Sequence, residues 1–424
     1  MLSTISNLYD VYVADVEDVL PMTEKTPQPS LERNVKVFVA RALLKGIYNP
    51  IHRVIYQPFI LSLNPSMTML GLLEGLGGYQ GLFGAFIRPF FGWLSDCMNR
   101  KSFIVLGSVL MASSIGLFLI SGLTNVFFFV PLAITLMSVS LFDMPIADSL
   151  VAESVEPAKR GMVYSRIMLA MMAPGIFSPF IGGMIADRFG FLEVFAIGVV
   201  IQCIIILLVI RYLKESFHPR RTINFSELYS FFKRNLTPPK TLRNIYLLNM
   251  FDAFVYGLGP VLLVGILRVH FNFSNFQLGV ISTFHSVVMT LTQIFTGSVI
   301  RNFGCKSSII SSYLTFVAYL AGIALSRNFS SFLLLQIFYG IAFAMWRAPH
   351  QTLMANSTTQ TERAEAMGRI SLYRGLFGFF APFLGGLLYD HYGYSAPLWI
   401  SFVSGVLVML FIHFHIRVKD DKLI

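Results

Sequence analysis

Residues 92–101 read GWLSDCMNRK and lie between two long apolar stretches. Asp96, Arg100 and Lys101 crowd there, in a chain of 424 residues that is 55% hydrophobic and only 13% charged. That charged share is about half the soluble norm, too little to face water all round. Most of the outside therefore faces lipid, where only helices and closed barrels satisfy every backbone group. The apolar runs are continuous over roughly twenty residues and do not alternate, so they are helices.

Charged turns divide the chain into twelve spans. They fall into two sets of six, residues 37–213 and 242–416. A basic, proline-containing linker at 214–241 joins the sets, and tails at 1–36 and 417–424 flank them. Lys and Arg gather at one end of the bundle: Arg100, Lys101, Lys159, Arg160, Arg301, Lys306 and Arg363, with more in the linker. The opposite turns hold little beyond Arg188, Arg268 and Arg327. By the positive-inside rule the linker and both tails are cytoplasmic, in a multi-pass protein of the cell membrane. The net charge of +10 thus encodes topology and attraction to anionic lipid heads. No basic groove lined with aromatics points to nucleic acid. Three cysteines give no disulfide framework. Zinc-ligand spacing, a phosphate-cradling glycine loop and a nucleophile elbow are absent from the sequence, so neither an enzyme nor a cofactor or metal is expected.

The opening stretch recurs. GSVIRNFGCK, 297–306, matches it at an offset of 205. SPFIGGMIADRFGF (178–191) aligns with APFLGGLLYDHYGY (381–394) at 203, and Ser66 and Gly71 with Ser274 and Gly279 at 208. Two parallel repeats of six helices mark a secondary transporter. On these residues the chain resembles the major facilitator superfamily, whose cytoplasmic turn reads G-x-L-x-D-R-x-G-R-K. Gly92, Leu94, Asp96, Arg100 and Lys101 match, whereas Cys97 and Asn99 depart from the pattern. The second copy keeps Gly297, Gly304 and Lys306 but has Arg301 where the acid would stand. The resemblance implies an all-α integral membrane protein with twelve helices in two pseudo-symmetric six-helix bundles. It also implies a gating turn: Gly92 keeps it tight, Asp96 faces the positive start of span eleven, and Arg100 and Lys101 hold it at the cytoplasm. Residues 174–183, PGIFSPFIGG, resemble a fifth-helix pattern of antiporters, yet the partner FGFFAPFLGG shares the skeleton, so a fold feature is the competing reading.

Independently of any family, charge is distributed in threes. Spans three, six, nine and twelve carry none in their middles. The other eight hold Lys45, His52, Arg53, Glu74, Arg88, Asp143, Asp148, Asp252, His285, Arg347, His350, Arg369 and Arg374. Each Arg, Lys or Asp at mid-membrane costs about 2.5–3.5 kcal/mol against lipid, so these groups are expected to share a wet cleft that their own eight spans surround, with the four uncharged spans facing lipid. Arg41, Lys45, Asn49 and His52 form one stripe on span one, with Arg53 beside it; Asn249, Asp252 and Tyr256 form another on span seven. The two are expected to face each other. Asp143 and Asp252, then Asp148, are the candidates for a proton-carrying carboxylate. The alternative is permanent pairing with Arg53, Arg347 or Arg374. Asn49, His52, Arg53, Tyr256, His285, Arg347, His350 and Arg374 are the candidate solute ligands. Glu74 is expected to belong to an outer gate. The resulting expectation is a monomeric, proton-coupled transporter of a small organic solute, leaning toward an anion or zwitterion. Drug or metabolite efflux by proton antiport is the alternative, and a non-transporting sensor that keeps the fold is the reading of another class.

Overall fold

The computed structural model describes residues 29–78, 81–156, 159–215, 242–357 and 363–416. Most of the linker and of the two tails lies outside the described residues. Span one is a single helix, Pro29–Leu63, so residues 29–36, expected in the tail, are helical. Spans three, five, six, ten and twelve are Arg100–Thr124, Arg160–Arg188, Phe191–Tyr212, Phe329–Ser357 and Ser395–His415. Spans eight and nine form one run, Asn275–Leu325, whose turn is compressed to Gly304 at φ 79°. Four spans are broken. Span two is Met67–Gly77 and Leu82–Cys97, span four is Phe129–Ser140 and Asp143–Ser154, and span eleven is Arg363–Gly378 and Phe380–Tyr392. Span seven is Arg243–Leu258 and Leu263–Val269, with a tight turn at Pro260–Leu262 between them.

The breaks follow the charge pattern. Irregular backbone at membrane depth is tolerated only where protein or a wet cleft covers it, and all four broken spans belong to the charge-bearing set. The uncharged spans three, six, nine and twelve are unbroken and expose Leu123, Leu207, Leu314 and Leu407 at 60–66%. The linker end of the molecule carries Tyr212, Arg243 and Ile416; the far end carries the turns after spans one, three, five, seven, nine and eleven. At the far end Gly190 (φ 112°) and Gly393 (φ 85°) are repeat-related and turn the chain into spans six and twelve, in a region that side chains disfavour. Ser274 and Gln277 close a reciprocal capping box at the start of span eight, and Ser66 caps span two by accepting from the Met69 amide at 3.1 Å.

The halves touch at the far end through one contact used twice. A Cβ on Gly71 would stand 2.1 Å from the carbonyl oxygen of Pro382; on Gly279, 2.3 Å from that of Pro179. Gly386 meets the Met67 carbonyl and Gly183 the Asn275 carbonyl, both at 2.2 Å. Spans two and eleven, and spans five and eight, therefore cross backbone to backbone, as small residues permit. The paired Gly-Gly sequences are thus packing devices in both halves. Toward the linker end the geometry changes: Gly92, Gly161 and Gly297 have nothing within 4 Å of an added Cβ. Gly279→Val is expected to cost about 1–3 kcal/mol by overpacking, lowering the melting temperature in detergent. Gly297→Val, on the same span, is expected to leave it unchanged. Equal effects of the two would contradict the packing described.

Candidate functional site

The sequence stripe on span one is real, but it faces its own bundle. Arg41 and Lys45 both reach Asp143, which opens the second helix of span four. Arg41 Nη2 donates to Asp143 Oδ2, and Lys45 Nζ donates to Oδ2 at 2.9 Å and to Oδ1 at 3.3 Å. Arg41 and Asp143 are buried at 6% and 2% exposure. Span three comes close enough only because Gly107 is there; a Cβ would lie 2.5 Å from that of Asp143. Further along the stripe His52 is fully buried, boxed by Tyr48, Tyr56, Phe118 and Phe195 at ring distances of 5.4–6.3 Å. That corrects its placement among solute ligands, because Phe118 and Phe195 belong to spans three and six of the same half. Asn49 is half-buried beside it. Arg53, one residue on, is exposed instead. It lies within electrostatic reach of Glu74 in its own half and of His285 and Tyr339 in the other, which places it between the bundles.

The second stripe behaves likewise. Asp252 accepts from Arg374 Nη1 at 2.5 Å through Oδ2 and from the Tyr313 hydroxyl at 2.7 Å through Oδ1. Arg374 also reaches Asn249 Oδ1 at 3.4 Å. Tyr256 meets the Tyr339 hydroxyl at 3.4 Å, and His285 stacks on Tyr339 at 4.4 Å. His350 stacks on Trp346 at 4.9 Å, within reach of Arg374 and Asp252. Arg347 is exposed on the same turn and has no ionic partner among the described residues. The stripes therefore do not face each other. Periodicity identified each face but not its neighbour. Asp252 takes one of the cations expected for it; Asp143 takes two others. Asp148 is exposed, within reach of Arg41, Lys45 and Asp143.

At the linker end the turn is anchored within its own half. Arg100 pairs with Glu153 of span four at 2.7 Å, and Lys101 Nζ donates to the Ile210 carbonyl of span six at 2.8 Å. Lys306 repeats this on the His413 carbonyl of span twelve at 2.8 Å. These lysines cap the exposed carbonyls of a helix C-terminus. Gly92 lies inside a helix in open space, so its expected tightening of the turn is not realised here. The Asp96 side chain and residues 358–362 lie outside the described residues, and so does the expected contact of Asp96 with the start of span eleven.

The far end carries a pair of clasps that sequence reasoning missed. Asp390, closing span eleven, accepts from the Thr68 amide at 2.9 Å and hydroxyl at 2.7 Å, and from the Met67 amide at 3.3 Å. Asp187, closing span five, accepts from the amides of Asn275 at 3.0 Å and Phe276 at 2.8 Å, and from the Asn275 side chain at 2.8 Å. Each carboxylate sits on the positive start of a helix in the other half. The signal was present in the 203-residue offset, which aligns these two acids.

Two related helical bundles sealed to each other at one end, with their buried charges paired inside each half, define the architecture of a membrane transporter. A family model described as Major Facilitator Superfamily matches residues 51–251 and again 244–423. The chain belongs to that family; it is a multi-pass transporter and not an enzyme. Multidrug resistance protein MdtG of Salmonella arizonae is 23% identical over 326 residues, 76% of this chain and 79% of the relative. Among solved structures, the human organic anion transporter MFSD10 (TETRAN) superposes with a TM-score of 0.66 at 16% identity, covering 91% of this chain and 100% of that one. A D-xylose-proton symporter does so with 0.69 at 17% identity, covering 91% and 98%.

Asp252 and Arg374 are half-buried, and removing one member leaves the other unpaired, at about 1–3 kcal/mol. Arg374→Met is therefore expected to destabilise the protein by that order in denaturant unfolding, and adding Asp252→Leu is expected to recover most of the loss. A double variant no better than the single would refute the pairing.

Proposed function

We propose that this transporter moves a small organic solute by proton-coupled alternating access, with its linker end at the cytoplasm, and that the solute carries negative charge on an apolar or aromatic body. The observation that supports this most is the imbalance of partners. Asp143 and Asp252 are neutralised inside their own halves, whereas Arg347 is exposed and without an ionic partner among the described residues. A cation at that depth avoids lipid, so we assign Arg347 to the cleft wall with Arg53. Tyr256, Tyr339 and His285 supply an aromatic surface beside them. The open space around Gly92 and Gly297 fits a cleft that opens toward the linker end.

Export of drug-like molecules by proton antiport is the second reading. The multidrug resistance relatives favour it, as does the aromatic share of the wall. The two readings separate in proteoliposomes given a fluorescent organic anion or, separately, the lipophilic cation ethidium. A one-unit pH gradient, worth about 1.4 kcal/mol per proton, is expected to drive the anion across. Arg347→Ala is expected to slow the anion about tenfold or more, the cost of roughly one charge-assisted contact. Gradient-driven movement of ethidium alone, indifferent to Arg347→Ala, would support the drug reading. Failure of the gradient to move either would contradict proton coupling.

A further inference from the structure

Asp143 and Asp252 answer poorly to the task of carrying a proton. Each already has a cation and further donors on its oxygens. A third acid is differently placed. Glu74 lies seven residues into span two from the far end, about 10 Å deep at helical rise, and is 7% exposed. Its partners are neutral. The Tyr56 hydroxyl donates to Oε1, and so does Gln57 Nε2, at 2.7 Å. Glu74 forms no ion pair among the described residues, and Oε2 accepts no hydrogen bond from them. That second oxygen points at the break of span two, where a Cβ on Gly78 would stand 2.4 Å from it.

A carboxylate anion buried without a cation is costly in a medium of low dielectric, whereas the neutral acid needs only its hydrogen bonds. The surroundings therefore suit the acid form, with the proton on Oε2. The groups packed around Glu74 leave that balance to one charge. Span one contributes Tyr56, Gln57 and, through space, Arg53. Span seven contributes only backbone, span eleven presents Phe379 at Gly75, and span four presents Ile134 at Gly77; none of these carries charge. Arg53 is one turn nearer the linker end than Gln57 and is exposed to the cleft.

The site is also wired across the halves. Gln57 Nε2 is shared between Glu74 and the Val261 carbonyl, 2.8 Å away, and Gln57 Oε1 accepts from the Gly265 amide at 3.0 Å. The carbonyl lies within the tight turn of span seven and the amide in the helix that follows it. The bridge exists only while spans one and two lie against span seven, that is, while the far end is closed. Opening the far end breaks it and lets water reach Glu74, where the anion is tolerated.

We propose that Glu74 is the proton-binding carboxyl of this transporter: the far end closes over it with the proton aboard, and Gln57 links that closure to the break in span seven. The step is the addition of one proton to the carboxylate when the far end is open and its loss toward the cleft, past Arg53, after closure. This rests on the reading of the chain as proton-coupled.

The test needs no knowledge of the solute. Spin labels at Val126→Cys and Leu325→Cys report the far-end distance between the halves, in a background with Cys97, Cys203 and Cys305 replaced. In the otherwise unaltered protein, the open population is expected to rise with pH. Glu74→Gln, which mimics the acid, is expected to abolish that response and hold the far end closed throughout. Glu74→Asp, which keeps an ionisable group, is expected to retain the response with a displaced midpoint, and it stands in should Glu74→Gln fail to fold. A full response in Glu74→Gln, or an undisplaced midpoint in Glu74→Asp, overturns the assignment while leaving proton coupling intact. No response in the unaltered protein overturns both.

Discussion

Charge buried at bilayer depth must be neutralised, and here it is neutralised inside each half. Asp143 holds Arg41 and Lys45 within the first bundle; Asp252 holds Arg374 and Tyr313 within the second. Breaking the first of these strands a buried charge at a cost of about 3–5 kcal/mol. A transporter that rocks its halves apart cannot meet that cost in each cycle. The bonds that do cross between the halves are of another kind. Asp187 and Asp390 accept from backbone amides and small side chains at the rim, where water can replace the partner, and Gln57 bridges through a neutral amide. Ionic pairs thus lie within each half, and the bonds between the halves have neutral donors.

The repeat explains why the seal is double. Asp187 and Asp390, Gly183 and Gly386, Pro179 and Pro382 are each related by the same offset, and each pair makes the same contact with spans eight and two. Lys101 and Lys306 extend the symmetry to the opposite end. The charged clusters depart from it. Asp143 draws its cations from span one, whereas Asp252, itself on the partner of span one, draws its cation from span eleven. Scaffold and seal are duplicated; the cleft is not.

Much of this was legible in the residues. Apolar length located the spans, and the four broken ones all fall in the charge-bearing set. The repeat offsets held the clasp acids in plain view, but alignment does not say what a side chain touches. For the cleft, the limit was rotational. His52 shares a helix face with Arg41, and that face turns toward spans three, four and six; we assign the cleft face to Arg53, one residue on. Glu74 was placed near an outer gate by depth alone. Its importance depends on Tyr56 and Gln57, residues too ordinary in a membrane helix to attract notice in a sequence.

The central claim is that the far end is a seal that closes and opens while each half keeps its own charge pairs. Phe180 of span five and Phe276 of span eight meet across it, with ring centres 5.1 Å apart. Cysteines at these two positions, in a background without native cysteines, measure it directly. Short cross-linking reagents are expected to join them readily in the resting protein, and transport is expected to stop when they are joined and return when the link is cleaved. Failure to join, or full transport through the linked protein, would contradict it.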